Sequence, residues 1–122
     1  MVFHSPIFVR EVVGRDLAAI VFAGSAAVRE EGYTDEYKPD DRTTFLRWQG
    51  TIDGKELESL EVIVDDDNGL VAERTIAHRP YPALKIFRDR GVANPALKKF
   101  FPDDLFDYPE NLAKHQVGSE VG

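Results

Sequence analysis

From Leu57 to Val64 the positions follow a period of two, as in a strand with one face inward and one outward. Glu61 stands out in that run, because it shares its face with Leu57 and Ile63. If that face is interior, a carboxylate has been set into an apolar chamber. Its burial there is costly unless the charge is paired or neutralised. The same reading predicts strands over residues 43–52, 55–65 and 70–78. Asp53-Gly54 makes a two-residue hairpin turn between the first two, and the acidic Asp66-Asp67-Asn68-Gly69 turns the chain into the third.

The flanking segments carry different periods. Residues 2–9 are apolar and β-branched and predict a strand, with Pro6 at an edge or bulge. Leu17, Ile20, Val21, Gly24 and Val28 fall at helical spacing, giving one amphipathic helix of about four turns that ends at Arg29-Glu30-Glu31-Gly32. Residues 33–37 suit a short strand. Arg79-Pro80-Tyr81-Pro82 stops the last strand and starts a short helix through about Asp89. Beyond it, Leu97, Phe100, Phe101, Leu105, Phe106, Tyr108 and Leu112 are too aromatic for a disordered tail. The expected division is therefore 1–89 as the main domain and 90–122 as an extension docked on the same or a partner domain, with 115–122 fraying.

Pairing turns spacing into geometry. The Asp53-Gly54 turn sets Leu46 opposite Glu61, Trp48 opposite Ser59 and Gly50 opposite Leu57. A four-residue loop from Asp66 to Gly69 would set Glu61 opposite Arg74, Ser59 opposite Ile76 and Leu57 opposite His78. A two-residue turn would move the partners but keep the faces, and a three-residue loop would break the assignment. One face then holds Leu46, Trp48, Leu57, Ser59, Glu61, Ile63, Arg74, Ile76 and His78. The other holds Phe45, Arg47, Gln49, Glu56, Glu58, Leu60, Val62, Glu73, Thr75 and Ala77, a mixed face that suits partial exposure or a subunit contact.

Composition narrows the function. With 122 residues there is room for one domain with a real core. The balance of 15 basic against 22 acidic residues, net −7, argues against nucleic acid and anionic membrane as partners. There are no cysteines, so disulfides and thiolate chemistry are excluded. No apolar run approaches the roughly 20 residues of a membrane span, and the first residues lack the pattern of a secretory signal, so a cytoplasmic location is expected. The aspartate triplet at 65–67 lacks the further ligands of a calcium loop, and alternation keeps His4 from converging with His78 and Glu61 on a metal. No metal and no cofactor are expected.

The order strand, helix, three-strand meander resembles the nuclear transport factor 2-like superfamily, a conical α+β barrel. The segments Phe45-Leu46-Arg47-Trp48-Gln49-Gly50-Thr51-Ile52-Asp53-Gly54, Glu58-Ser59-Leu60-Glu61 and Asp66-Asp67-Asn68-Gly69-Leu70-Val71-Ala72-Glu73, with Arg79-Pro80 and Phe3-His4-Ser5-Pro6, look like its SnoaL-like branch. The resemblance covers about residues 2–89. It implies a curved, mostly antiparallel sheet over one long helix, enclosing an apolar cavity, and a homodimer through the outer sheet face. Relatives include polyketide cyclases, ketosteroid isomerase and limonene epoxide hydrolase. Glu61 matches the place where ketosteroid isomerase keeps a protonated aspartic acid as oxyanion donor. That enzyme's aspartate base falls on Ser5, whose hydroxyl is no substitute without a base of its own. Arg74 falls roughly where limonene epoxide hydrolase has a catalytic aspartate. Family members begin with helices that close the cone; this chain starts almost at the first strand, and its aromatic tail is expected to cover that surface.

Glu61 with Arg74 is open to two readings. One is a paired interior salt bridge without catalysis; in the other Glu61 is acid or base and Arg74 steadies an anionic oxygen on a substrate. His78, near the rim, is either a proton shuttle or a strand-end histidine bonded to backbone. The expected pocket comprises Ser5, Leu46, Trp48, Leu57, Ser59, Ile63 and Ile76, with Glu61, Arg74 and His78 as the chemical groups. It would take a small, mainly hydrophobic molecule, by binding alone or by cofactor-independent acid–base chemistry of the isomerase, cyclase or hydrolase type. The alternative is a non-catalytic dimeric interaction or scaffold module whose cavity is filled. An open cavity of a few hundred Å³ favours the first.

Overall fold

A computed structural model describes residues 1–28, 30–108, 110 and 111, and only the backbone of 27, 28, 30 and 31. The helix end expected at Arg29, the anchor at Leu112 and the fraying at 115–122 lie outside the described residues. The fold is α+β: a six-stranded, curved, mixed sheet with helices against one face.

The elements follow as β1 (Val2–His4), β2 (Val12–Val13), α1 (Arg15–Val28), β3 (Glu30–Tyr37), β4 (Thr43–Ile52), β5 (Lys55–Asp65), β6 (Val71–Arg79), α2 (Tyr81–Ala93), α3 (Pro95–Phe100) and the 3-10 turn η1 (Asp103–Leu105). The sheet order is β2-β1-β6-β5-β4-β3. β1 runs parallel to β6, and every other neighbouring pair is antiparallel. The strand expected over 2–9 ends at His4 as β1, and β2 lies beyond the expected range. Pro6 has no N–H to give a ladder, and the chain loops out after His4 before returning as β2.

The β4–β5 register is as expected, with Leu46 opposite Glu61 and Trp48 opposite Ser59. Asp53 (φ 51°) and Gly54 (φ 75°) both take positive φ, which is the backbone of a type I′ turn. The β5–β6 register departs from expectation. Asp66 N–H donates to Leu70 O (2.7 Å), leaving Asp67, Asn68 and Gly69 as a three-residue tip, with Gly69 at φ 76°. Alone, that odd-numbered tip would have exchanged the faces of β6. The register then slips by one more residue at Ala72, between the pairs Asp65–Val71 and Val64–Glu73. Two odd shifts make an even one. Faces survive and partners change: Arg74 lies opposite Ile63, Ile76 opposite Glu61 and His78 opposite Ser59, in place of the three expected pairs.

The core lies between the inner sheet face and the helices. Phe3, Trp48, Ile52, Leu57 and Ile76 from the sheet meet Ala18 and Val21 from α1 and Ala83 and Phe87 from α2. α2 runs four residues beyond the expected end. Asn94 then caps α3, its side-chain oxygen accepting from Ala96 N (2.9 Å) and Leu97 N (3.4 Å) ahead of Pro95 at the first turn. Leu97, Phe101, Leu105 and Phe106 bury themselves in the same core within this one chain. The Phe8 ring sits 5.4 Å from Phe101 and 5.1 Å from Phe106, and Val9 N–H donates to Leu105 O (2.7 Å). The tail thus clamps the loop between β1 and β2.

Candidate functional site

β5 turns Ser59 and Glu61 toward the helices, and both are about 1% exposed. Because of the shifted register Arg74 reaches Glu61 diagonally across the sheet. Its Nε donates to Glu61 Oε1 (3.0 Å), and its Nη2 donates to the same oxygen. Nη2 also donates to the Tyr33 hydroxyl (2.8 Å), which in turn donates to Glu61 Oε1 (3.3 Å). The Ser59 hydroxyl donates to Oε2 (3.1 Å). Both carboxylate oxygens are therefore engaged, chiefly by charge-assisted bonds. The Phe22 ring lies 4.7 Å from the guanidinium carbon, where its π face adds to the stabilisation of the cation. The Arg74 side chain retains 19% exposure and that of Glu61 none.

Beside this cluster lies a partly enclosed cavity of about 250 Å³ between α1, the β1–β2 loop, β6 and α2. Its apolar wall is Phe3, Pro6, Val21, Phe22, Ala26, Ile76 and Phe87; its polar wall is Ser5, Ser25, Tyr33, Arg74 and His78. The His78 ring packs 4.9 Å from that of Phe87. Of the residues read from the sequence, Ser5, Arg74, Ile76 and His78 converge here. Glu61 stands behind Arg74 and Tyr33, outside the lining. Trp48, Leu57 and Ser59 are buried on the same sheet face, and Leu46 and Ile63 are half-buried there, but none of the five lines the cavity.

The sequence reading missed Tyr33, Phe22 and Phe87. Tyr33 pairs with Trp48 across β3–β4, which gives it the inner face; the irregularity at Thr34 makes that pairing, since the register of Asp35 with Arg47 carried on would have set Tyr33 opposite Gln49. Phe22 lies four residues after Ala18, a spacing that places both on one side of α1. Ser5 Oγ accepts from Ile7 N–H (3.2 Å), so its hydroxyl hydrogen is still available as a donor. His4 turns away from this site and contacts Glu73 (3.2 Å). Among the described residues no group of three or more His, Cys, Asp or Glu is placed to hold a metal ion.

The outer sheet face has its own pattern. Phe45 and Leu60 are 42% and 56% exposed, and Tyr37 stacks on Phe45 at 6.2 Å. Beside them Glu58 accepts from Arg79 (3.0 Å) and from Arg47, and these two guanidinium groups, Arg79 first, hold its carboxyl below the ordinary value. No helix among the described residues is long and apolar enough to cross a membrane.

No family model and no curated protein matches this chain. Among the solved structures that share its fold are the following two. A steroid delta-isomerase from Pseudomonas aeruginosa is 22% identical with a TM-score of 0.68, over 73% of this chain and 66% of that one. An uncharacterized protein conserved in bacteria, with a cystatin-like fold, from Silicibacter pomeroyi is 20% identical with a TM-score of 0.73, over 81% of this chain and 73% of that one. This chain therefore spans about two thirds of the isomerase's length. The likeness is one of fold: the α+β cone expected from the nuclear transport factor 2-like resemblance is the fold this chain has.

Proposed function

We propose that the protein binds a small, mainly hydrophobic molecule in the cavity between α1 and β6 and acts on it by acid–base chemistry without a cofactor. One observation carries this reading: an open, largely apolar hollow of about 250 Å³ whose polar wall is a guanidinium oriented from behind by a buried carboxylate. A cone serving only as a scaffold has no need of such a hollow. The chemistry assigns separate roles. The Glu61 side chain is fully buried and lies outside the cavity lining, so it holds and neutralises Arg74. Arg74 steadies charge developing on the ligand's oxygen. His78, four residues further along β6 and hence about 13 Å away between Cα atoms, moves a proton at the other end. That a steroid delta-isomerase shares this fold supports this class of reaction.

The protein is further proposed to act as a homodimer through the outer sheet face, where exposed Phe45 and Leu60 sit beside the ion-paired Arg47–Glu58–Arg79 row. Thermal-shift screening against small cyclic ketones, terpenoids and polyketide-like aromatics tests the binding reading. The expected result is stabilisation of the wild type that is lost in Arg74→Lys and kept in His78→Ala, while conversion of the bound compound, followed by its absorbance, is lost in His78→Ala. If no compound in the screen raises the melting temperature, the reading is wrong.

A further inference from the structure

The cavity's dimensions and the hydrogen-bond inventory of its polar wall define its ligand more closely. We infer that the site selects an uncharged molecule of one or two rings bearing a carbonyl-type acceptor, and rejects four-ring skeletons and charged analogues of the same shape; this rests on the binding function proposed above.

The size limit comes from volume. A cavity of about 150 Å³ holds one benzene molecule. By proportion, about 250 Å³ encloses a substituted ring or a fused pair and leaves most of a four-ring steroid outside.

Polarity follows from which atoms are already engaged. Nε and Nη2 of Arg74 are committed to Glu61 and Tyr33. No acceptor for Nη1 occurs among the described residues, so its two hydrogens remain available to a ligand. The Tyr33 hydrogen is directed at Glu61, and the Ser5 hydroxyl can still donate. At its Arg74 end the wall therefore offers donors, and the complementary ligand atom there is an oxygen acceptor.

Charge is the deciding term. Arg74 and Glu61 cancel, so the pocket is close to neutral despite its guanidinium. A carboxylate ligand would add an unpaired negative charge to an apolar hollow in a chain of net −7, and an ammonium ligand would face the guanidinium. A ketone, lactone or quinone oxygen accepts from Nη1 and Ser5 without introducing any net charge.

Isothermal titration of the full chain with a matched set of probes tests this. The set comprises 1-tetralone, tetralin, tetralin-1-carboxylate, 1-aminotetralin and androst-4-ene-3,17-dione. The expected order places 1-tetralone about tenfold or more above tetralin, the carboxylate and the amine, the factor that one hydrogen bond to a charged donor supplies. The four-ring diketone should bind at least tenfold more weakly than 1-tetralone. In Glu61→Gln the cation loses its counter-charge, and the carboxylate should overtake the ketone. Should that variant fail to fold, the wild-type order decides by itself. Tightest binding by the carboxylate or the amine, equal binding of tetralin and 1-tetralone, or tight binding of the steroid each overturns this inference while leaving a ligand site in place. No binding by any probe overturns both the inference and the function beneath it.

Discussion

Removing the charge of Arg74 should cost more stability than removing both charges of its buried pair. In Arg74→Met the Glu61 carboxylate, with no side-chain exposure, keeps only the Ser59 and Tyr33 hydroxyls as partners. Stranding one member of a buried pair costs about 3–5 kcal/mol. That is a large part of the roughly 5–15 kcal/mol that holds a domain of this kind together. Glu61→Leu should cost a similar amount, because the guanidinium then sits against Phe22 with only the Tyr33 oxygen to receive it. The double variant Glu61→Leu/Arg74→Met removes the charge problem. Two hydroxyls are left short of an acceptor or donor, and Tyr33 is half-exposed and can turn to water, so the residual cost is about 1–3 kcal/mol, chiefly from buried Ser59. Urea unfolding of the four proteins at one pH closes the cycle, provided each is two-state with a similar m-value. The expected coupling is several kcal/mol, with the double more stable than either single. A double variant as unstable as the sum of the singles would refute the view that Glu61 and Arg74 stabilise the fold only as a pair.

Other consequences of the structure can be checked directly. Phe106→Ala removes a buried ring stacked edge-on against Phe8 and should cost about 3–5 kcal/mol in urea unfolding, whereas a tail without structural function would give no change. A Cβ on Gly91 would lie 2.7 Å from Ile7 Cδ1, so Gly91→Ala is expected to be relieved by Ile7→Val, the double being about 1 kcal/mol better than the sum of the singles. The Asp66 carboxyl is held below its ordinary value by the backbone N–H groups of Leu70 and Asn68, and that of Asp40 by those of Arg42 and Thr43. Depressed folded values mean stability that is present above the unfolded carboxylate range and lost as pH falls through the folded values. Asp66→Asn can keep the turn, since its side-chain oxygen still accepts from both N–H groups, but it should flatten the acid limb of stability against pH; an unchanged limb would contradict this. Phe45→Glu with Leu60→Glu should leave a monomer by light scattering if the outer face joins two copies.

The sheet was readable to the residue where local chemistry sufficed. Asp53-Gly54 admits one turn type, and that turn sets every pair between β4 and β5. Alternation alone put Glu61, Ser59, Trp48 and Leu57 on the buried face. The second hairpin was harder, because two irregularities, a three-residue tip and the slip at Ala72, cancel in their effect on faces but not on partners. Nothing in Asp66 to Ala72 signals the second of these. The same limit explains Tyr33: its role depends on a pairing with Trp48 that only the assembled edge of the sheet defines.

The sequence by itself determined that Glu61 shares one strand face with Leu57, Ser59 and Ile63 and, through the Asp53-Gly54 turn, with Leu46 and Trp48, because those are questions of period and of one local turn. Only the tertiary structure decided that Glu61 stands behind Arg74 and not in the cavity, that Tyr33 and Phe22 complete the cluster, and that the aromatic tail clamps the loop carrying Ser5. Those outcomes depend on distances between segments far apart in the chain, where a shift of two residues in one register exchanges neighbours while leaving every face unchanged.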